Sequence, residues 1–268
     1  MPNPAVIEQR ATSTAILKHA RDIWHEPCQS LGTADLCQKT LLRSVSKSSS
    51  KSKNGEVSKS SSDEKRGGAR NRADRTSIEL SVGQVGNLIE ATGHAIAIGL
   101  PFTRFITIHW ELAGIDTGRM AKATGKYLDL LTKSLRRHGS ETSWLWVHED
   151  GHGKGGHCHI LVHVPADLVR IINRPRFKWL RLISGRPYRA NVIHSVPIGR
   201  RLRLELTNPE LYFSNVDAAL GYVLKGAGPE AARRYALERL IPGGLIVGKR
   251  CGTSQNIGPK ARANASMI

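Results

Sequence analysis

The chain has 268 residues, with 40 Lys and Arg against 22 Asp and Glu, a formal net charge of +18 and a sequence pI near 10.2. Each cation placed at a phosphate releases a condensed counterion, so this balance favours a polyanionic partner. The lack of any apolar run near the ~20 residues needed to span a bilayer argues against a membrane role. Four cysteines, Cys28, Cys37, Cys158 and Cys251, lack zinc-finger spacing, and the start, with Glu8 and no apolar core, does not read as a secretion signal. A reduced, intracellular protein is expected.

In chain order, residues 1–43 form an N-terminal segment. Within it Ile16, Leu17, Ala20 and Trp24 predict a short helix over 12–25. Residues 44–75 form a basic linker, dominated by serine and lysine to about residue 62, with too little apolar surface to offset chain entropy; disorder is expected there. Residues 76–268 are globular in composition. Val82, Val85, Leu88, Ile89 and Ile96 predict an amphipathic helix weakened by Gly83, Gly86 and Gly93. Arg104–Trp110 reads as a strand with Ile106 and Ile108 on one face and Thr107 and His109 on the other. The strongest helix carries Met120, Thr124, Tyr127, Leu128, Leu131 and Leu135 on one face, with Arg136, Arg137 and His138 in its last turn and Gly139 as its stop.

Next come two strands and a glycine-dense loop. Ser143–Glu149 is aromatic and β-branched, Asp150–Gly156 suits a hairpin, and Gly156–Pro165 alternates. On the second strand His157, His159, Leu161 and His163 share one face, and Cys158, Ile160, Val162 and Val164 the other. Folding the hairpin brings Glu149 within reach of His157 and His159. Two imidazoles and a carboxylate with open positions make a divalent-metal site suited to catalysis. His152 in the loop and His109 upstream are alternatives to Glu149 as third ligand.

A helix near 166–172 follows, and then a basic, strand-prone stretch over 173–208. Ser214 and Asp217 suggest a capping box that opens a short helix ending at Gly226, on which Tyr222 and Lys225 share a face. A phenol beside an ammonium group is a sensible nucleophile. Another helix is expected over about 229–240, before a glycine-rich tail. The order of elements fits an α+β domain, a central antiparallel sheet with helices on one face.

Taken in order, these pieces resemble the HUH endonuclease superfamily, and within it the single-tyrosine initiators of rolling-circle replication. The resemblance runs from about Leu100 to Lys225. It rests on the strand Phe105-Ile106-Thr107-Ile108-His109-Trp110 with its inner threonine, on His157-Cys158-His159, and on the tyrosine-two residues-lysine pattern of Tyr222 and Lys225. It implies a central antiparallel sheet carrying the metal histidines beneath the tyrosine helix. It also implies a Mn²⁺ or Mg²⁺ cofactor on His157, His159 and an upstream acid, which supports Glu149. Tyr222 would be the nucleophile, forming a 5′-phosphotyrosyl link, and Lys225 would steady the phosphate.

The same resemblance implies single-stranded or origin DNA as substrate, host replication proteins as partners, and the cytoplasm of a bacterial host as location. Thr107, Lys154, Arg200 and Arg201 are the expected DNA contacts. A transposase or mobilisation relaxase would share the chemistry, though the tyrosine's place after the histidines argues against the relaxase. A copy-control protein on a degenerate nickase fold would bind DNA without cutting it. Gly243–Arg250 approaches a phosphate-binding loop, but Arg250 stands where Ser or Thr should ligate magnesium, so no nucleotide cofactor is expected.

Overall fold

The structure, a computed structural model, describes residues 75–151, 153, 155–199 and 208–265. The expected helix over 12–25, the linker up to residue 74, and His152, Lys154, Arg200 and Arg201 lie outside the described residues.

The protein is an α+β fold built on a five-stranded, fully antiparallel sheet. The chain enters through β1 (Thr76–Ser77) and α1 (Val82–Ala97). Ser81 caps α1, accepting from the Gln84 amide while the Gln84 side chain accepts from Ser81 N–H. Next come β2 (Arg104–His109) and α2 (Thr117–Arg136), whose N-cap is Asp116. β3 (Trp144–Gly151) and β4 (Gly155–Val162) form the hairpin. After a 3-10 turn at Ala166–Leu168 come α3 (Val169–Asn173), α4 (Arg176–Ser184) and β5 (Ile193–Pro197). α5 (Pro209–Val223) runs into a 3-10 turn, Leu224–Gly226, and is followed by α6 (Pro229–Arg234), β6 (Ile246–Val247), β7 (Cys251–Thr253) and α7 (Pro259–Ala265). Strand order is β5-β2-β4-β3-β7, and β1 pairs with β6 in a separate two-stranded ribbon. No helix among the described residues is long and apolar enough to cross a membrane.

Helices cover both faces of the sheet, not one. Ile106, Ile108, Trp146, Cys158, Ile160 and Val162 pack against Met120, Tyr127, Leu128 and Leu131 of α2 and Trp179 of α4. Leu145, Val147 and Leu161, on the opposite face, pack against α1, α5 and α6 through Val85, Leu88, Val216, Leu220 and Ala231. The reason lies in the histidine-bearing face itself. Along β3 and β4 it is apolar at one end and polar only at the other, so half of it demands a cover. Each leucine fully buried in these layers stabilises the fold by about 1.5–3 kcal/mol.

Three sequence expectations shift. The tyrosine helix begins at Pro209 under an Asn208 cap, not at Ser214, because Asn at N-cap followed by Pro at N1 is the stronger start signal. The stretch 173–208 contains a helix, α4, before its strand. The helix expected over 229–240 stops at Arg234, with Tyr235 at its C-cap. His163 lies just past β4, where its Nδ1–H donates to the Pro101 carbonyl at 2.7 Å.

The near phosphate-binding loop is a brace. Arg250, 1% exposed, donates to the carbonyls of Ser77, Gly243 and Gly244. Gly244 has φ +69°, and a Cβ there would collide with the Asp150 carbonyl. This segment therefore lies hard against the end of β3 beside Glu149.

Candidate metal centre

The centre sits where β2, β4 and β3 run side by side. Glu149 pairs with His157 across the β3–β4 ladder, and His157 in turn pairs with His109 on β2; His159 lies between Val147 and Thr107. Residues directly opposite each other share a face, so the alternation of each strand gathers Glu149, His157 and His159 on one side. The adjacent residue of β3, His148, points the other way. It accepts from Thr124 Oγ1 at 2.8 Å and donates to the Lys249 carbonyl at 3.0 Å, and burial pushes its pKa down to about 3. One step along the strand thus separates a core histidine from a site carboxylate.

Glu149, His157 and His159 are all buried, and one ligand atom from each lies within 4.8 Å of the others. Glu149 Oε2 is 3.3 Å from His157 Nε2 and 3.5 Å from His159 Nε2. The outer nitrogens are held: His157 Nδ1 donates to the Gly155 carbonyl at 2.8 Å, and His159 Nδ1 meets Thr107 Oγ1 at 3.0 Å. Such partners fix ring orientation and aim the opposite nitrogen at a cation. Burial lowers the His159 pKa to about 4 and so favours the neutral, ligating imidazole. Burial alone would raise the Glu149 pKa, but hydrogen bonding with His157 and His159 and the Lys225 charge outweigh it and keep the carboxylate ionised. Two imidazole nitrogens and a carboxylate converge on one point, a donor set that can hold a divalent metal ion.

His109 lies beside this group, its ring 5.4 Å from that of His157, but it is not a member of the cluster. Glu149 is therefore the third donor among the described residues, and His152 lies outside them.

Tyr222, in the last turn of α5, stands over the centre, its ring 5.1 Å from that of His159 and 5.7 Å from Phe105. Lys225 falls in the following 3-10 turn. Its ammonium lies 4.1 Å from the Tyr222 ring centroid and binds the Glu149 carboxylate at 2.6 and 2.5 Å. It also approaches His159 Nε2 at 3.4 Å. The lysine expected at a phosphate thus rests on the carboxylate of the candidate metal site.

Two features escaped the sequence reading. Arg239 places its guanidinium 5.1 Å from the Tyr222 ring, on the segment tied down where Ile241 N–H donates to the Lys225 carbonyl. No motif announces it. The second is Tyr212, which shares α5 with Tyr222 because that helix starts at Pro209, ahead of the expected Ser214. Its hydroxyl donates to the Phe102 carbonyl at 3.1 Å inside the core, and burial pushes its pKa up. The helix carries two tyrosines, and one of them is structural. Tyr127 is core, as expected. Thr107 serves His159, while Lys154, Arg200 and Arg201 lie outside the described residues. Cys158 faces the α2 layer as a free, buried thiol.

Scans against protein-family models, curated proteins and solved structures each return no match.

Proposed function

We propose that the protein is a metal-dependent, site- and strand-specific DNA nickase that initiates rolling-circle replication through a tyrosine nucleophile. The observation that carries this reading is the half-buried phenol of Tyr222 standing 5.1 Å, ring to ring, from a ligand-competent histidine of the Glu149–His157–His159 group. The net charge of +18 suits a DNA substrate.

Glu149, His157 and His159 would hold the ion, Mn²⁺ or Mg²⁺, with the two imidazoles favouring Mn²⁺. Once bound, it would supply Lewis-acid polarisation of the scissile phosphate. The Tyr222 hydroxyl attacks phosphorus: an Oη–P bond forms, the P–O3′ bond breaks, the phenolic proton passes to water, and the departing 3′-oxygen takes a proton from water. The products are a 5′-phosphotyrosyl link and a 3′-hydroxyl able to prime synthesis. One phosphodiester is exchanged for another, so no nucleotide hydrolysis is required. Arg239 and Lys225 flank the Tyr222 ring and offset negative charge on phenol and phosphate. Lys225, paired with Glu149 in this structure, would be free to do so where Glu149 held a metal ion instead. A transposase acting by the same chemistry would differ only in its DNA target.

One observation favours a second reading. The Lys225–Glu149 ion pair already fills the donor set with a cation, as a non-catalytic copy-control protein on the same fold would need. Incubation with single-stranded origin DNA and Mn²⁺, followed by a denaturing gel, separates the two. A covalent adduct supports the nickase, and tight binding without an adduct supports the repressor.

A further inference from the structure

On the α2 side of the sheet, away from the metal centre, Arg104 opens β2 and is 7% exposed. Its Nη2 donates to the Ser195 carbonyl at 2.8 Å and to Ser195 Oγ at 3.0 Å, while its buried Nε has no hydrogen-bond partner. Arg176, at the start of α4, donates from Nη1 to Asn173 Oδ1 at 3.1 Å, and its Nε is likewise buried without a partner. Among the described residues neither guanidinium forms an ion pair with a carboxylate. They feel each other instead: after burial, the Arg176 charge is what lowers the Arg104 pKa. Arg104 is buried and Arg176 half-buried, and a guanidinium withdrawn from water near a like charge is costly unless an anion joins it.

The surface around them is made for a polyanion. From Leu168 to Gly199 the sequence contains no acidic residue, and Arg174, Lys178, Arg181 and Arg189 are all exposed. Aromatic rings interleave with these charges. Arg176 lies 4.8 Å over the Phe177 ring, and Phe177 meets Tyr188 at 4.4 Å. A membrane-surface helix would show a continuous apolar face. α4 instead buries Trp179 and Leu180, and its exposed Phe177 and Leu182 lie five residues apart, on different sides of the helix.

We infer that α3, α4 and the loop leading to β5 form a second nucleic-acid surface, on which Arg104 and Arg176 seat one backbone phosphate and Arg174, Lys178 and Arg181 follow the neighbouring ones. It binds without regard to sequence and independently of nicking. Its task is to hold the DNA flanking the strand presented to the other face.

The test uses the full chain and a fluorescein-labelled 20-base-pair duplex of unrelated sequence, with anisotropy followed from 50 to 300 mM salt. The triple variant Arg174→Gln/Lys178→Gln/Arg181→Gln changes only exposed side chains. It should weaken binding about tenfold or more at the lowest salt and reduce the log–log salt slope by about 2–3, near 0.9 per lost phosphate contact. Arg176→Gln should remove about one further unit of slope. Mn²⁺ affinity by calorimetry should be unchanged in the triple variant, which separates this surface from the metal centre. An unchanged slope in the triple variant would overturn the inference. So would saturation of the wild-type seat by inorganic phosphate, read as a thermal shift lost in Arg176→Gln, with no difference in duplex binding. A loss confined to phosphatidylserine vesicles would overturn it in favour of a membrane.

Discussion

Lys225 Nζ lies within hydrogen-bond distance of both carboxylate oxygens of Glu149, at 2.6 and 2.5 Å, although 76 residues separate them. The ammonium stands where a divalent ion would draw on the same carboxylate, so lysine and metal would compete for it. Lys225→Met should tighten Mn²⁺ binding by about tenfold, ~1.4 kcal/mol. Without metal, the same variant leaves the Glu149 carboxylate buried without its ammonium partner and should lose about 3–5 kcal/mol of stability. Calorimetry and thermal unfolding with and without Mn²⁺ measure both effects. An unchanged affinity would mean that the lysine is no competitor.

The histidine supports should matter nearly as much as the ligands. Thr107→Val removes the Oγ1 partner of His159 Nδ1, and we expect Mn²⁺ affinity to fall about 10–100-fold with little change in fold. His157→Asn should abolish measurable binding. Circular dichroism on both variants checks that the sheet persists.

The two tyrosines of α5 should separate cleanly. Tyr212→Phe removes a buried donor from the Phe102 carbonyl and should cost about 1–3 kcal/mol in urea unfolding while leaving DNA chemistry intact. Tyr222→Phe should do the reverse, because its half-buried ring keeps its packing against Phe105 and loses only the oxygen proposed as nucleophile.

Acid should destabilise the fold through histidines remote from the metal centre. Burial lowers the pKa values of His94 and His163 below 6.5 in the folded state. Their contribution is therefore fully present above pH 6.5 and is lost as pH falls through the folded values, since the unfolded chain binds those protons first. Unfolding free energy should decline from pH 7 to pH 5, with a shallower decline in His163→Gln. Equal slopes in the two proteins would remove His163 from the account.

How far the sequence reached depended on whether a feature was periodic or long-range. Alternation along 157–162 placed His157 and His159 on one face, and the glycine loop returned Glu149 to them, because strand registry is local. α2 was legible from Met120 to Leu135 for the same reason. α4 was not, since it buries only Trp179 and Leu180 among its charges and leaves a weak helical pattern. The helix start at Asn208 was missed in favour of Ser214, whose Ser-x-x-Asp spacing imitates a cap inside a continuing helix. Nothing local connects Lys225 to Glu149 or Arg239 to Tyr222, because tertiary packing alone makes those pairs.

The most direct test of the account is a denaturing gel of the full chain incubated with a labelled single-stranded origin oligonucleotide, with Mn²⁺ and with EDTA, beside Tyr222→Phe. The account predicts a covalent protein–DNA band that requires the metal and disappears in the variant, while both proteins still bind the oligonucleotide. A full-strength band in Tyr222→Phe, or no band from a folded, Mn²⁺-loaded wild-type protein that binds origin DNA tightly, would contradict it.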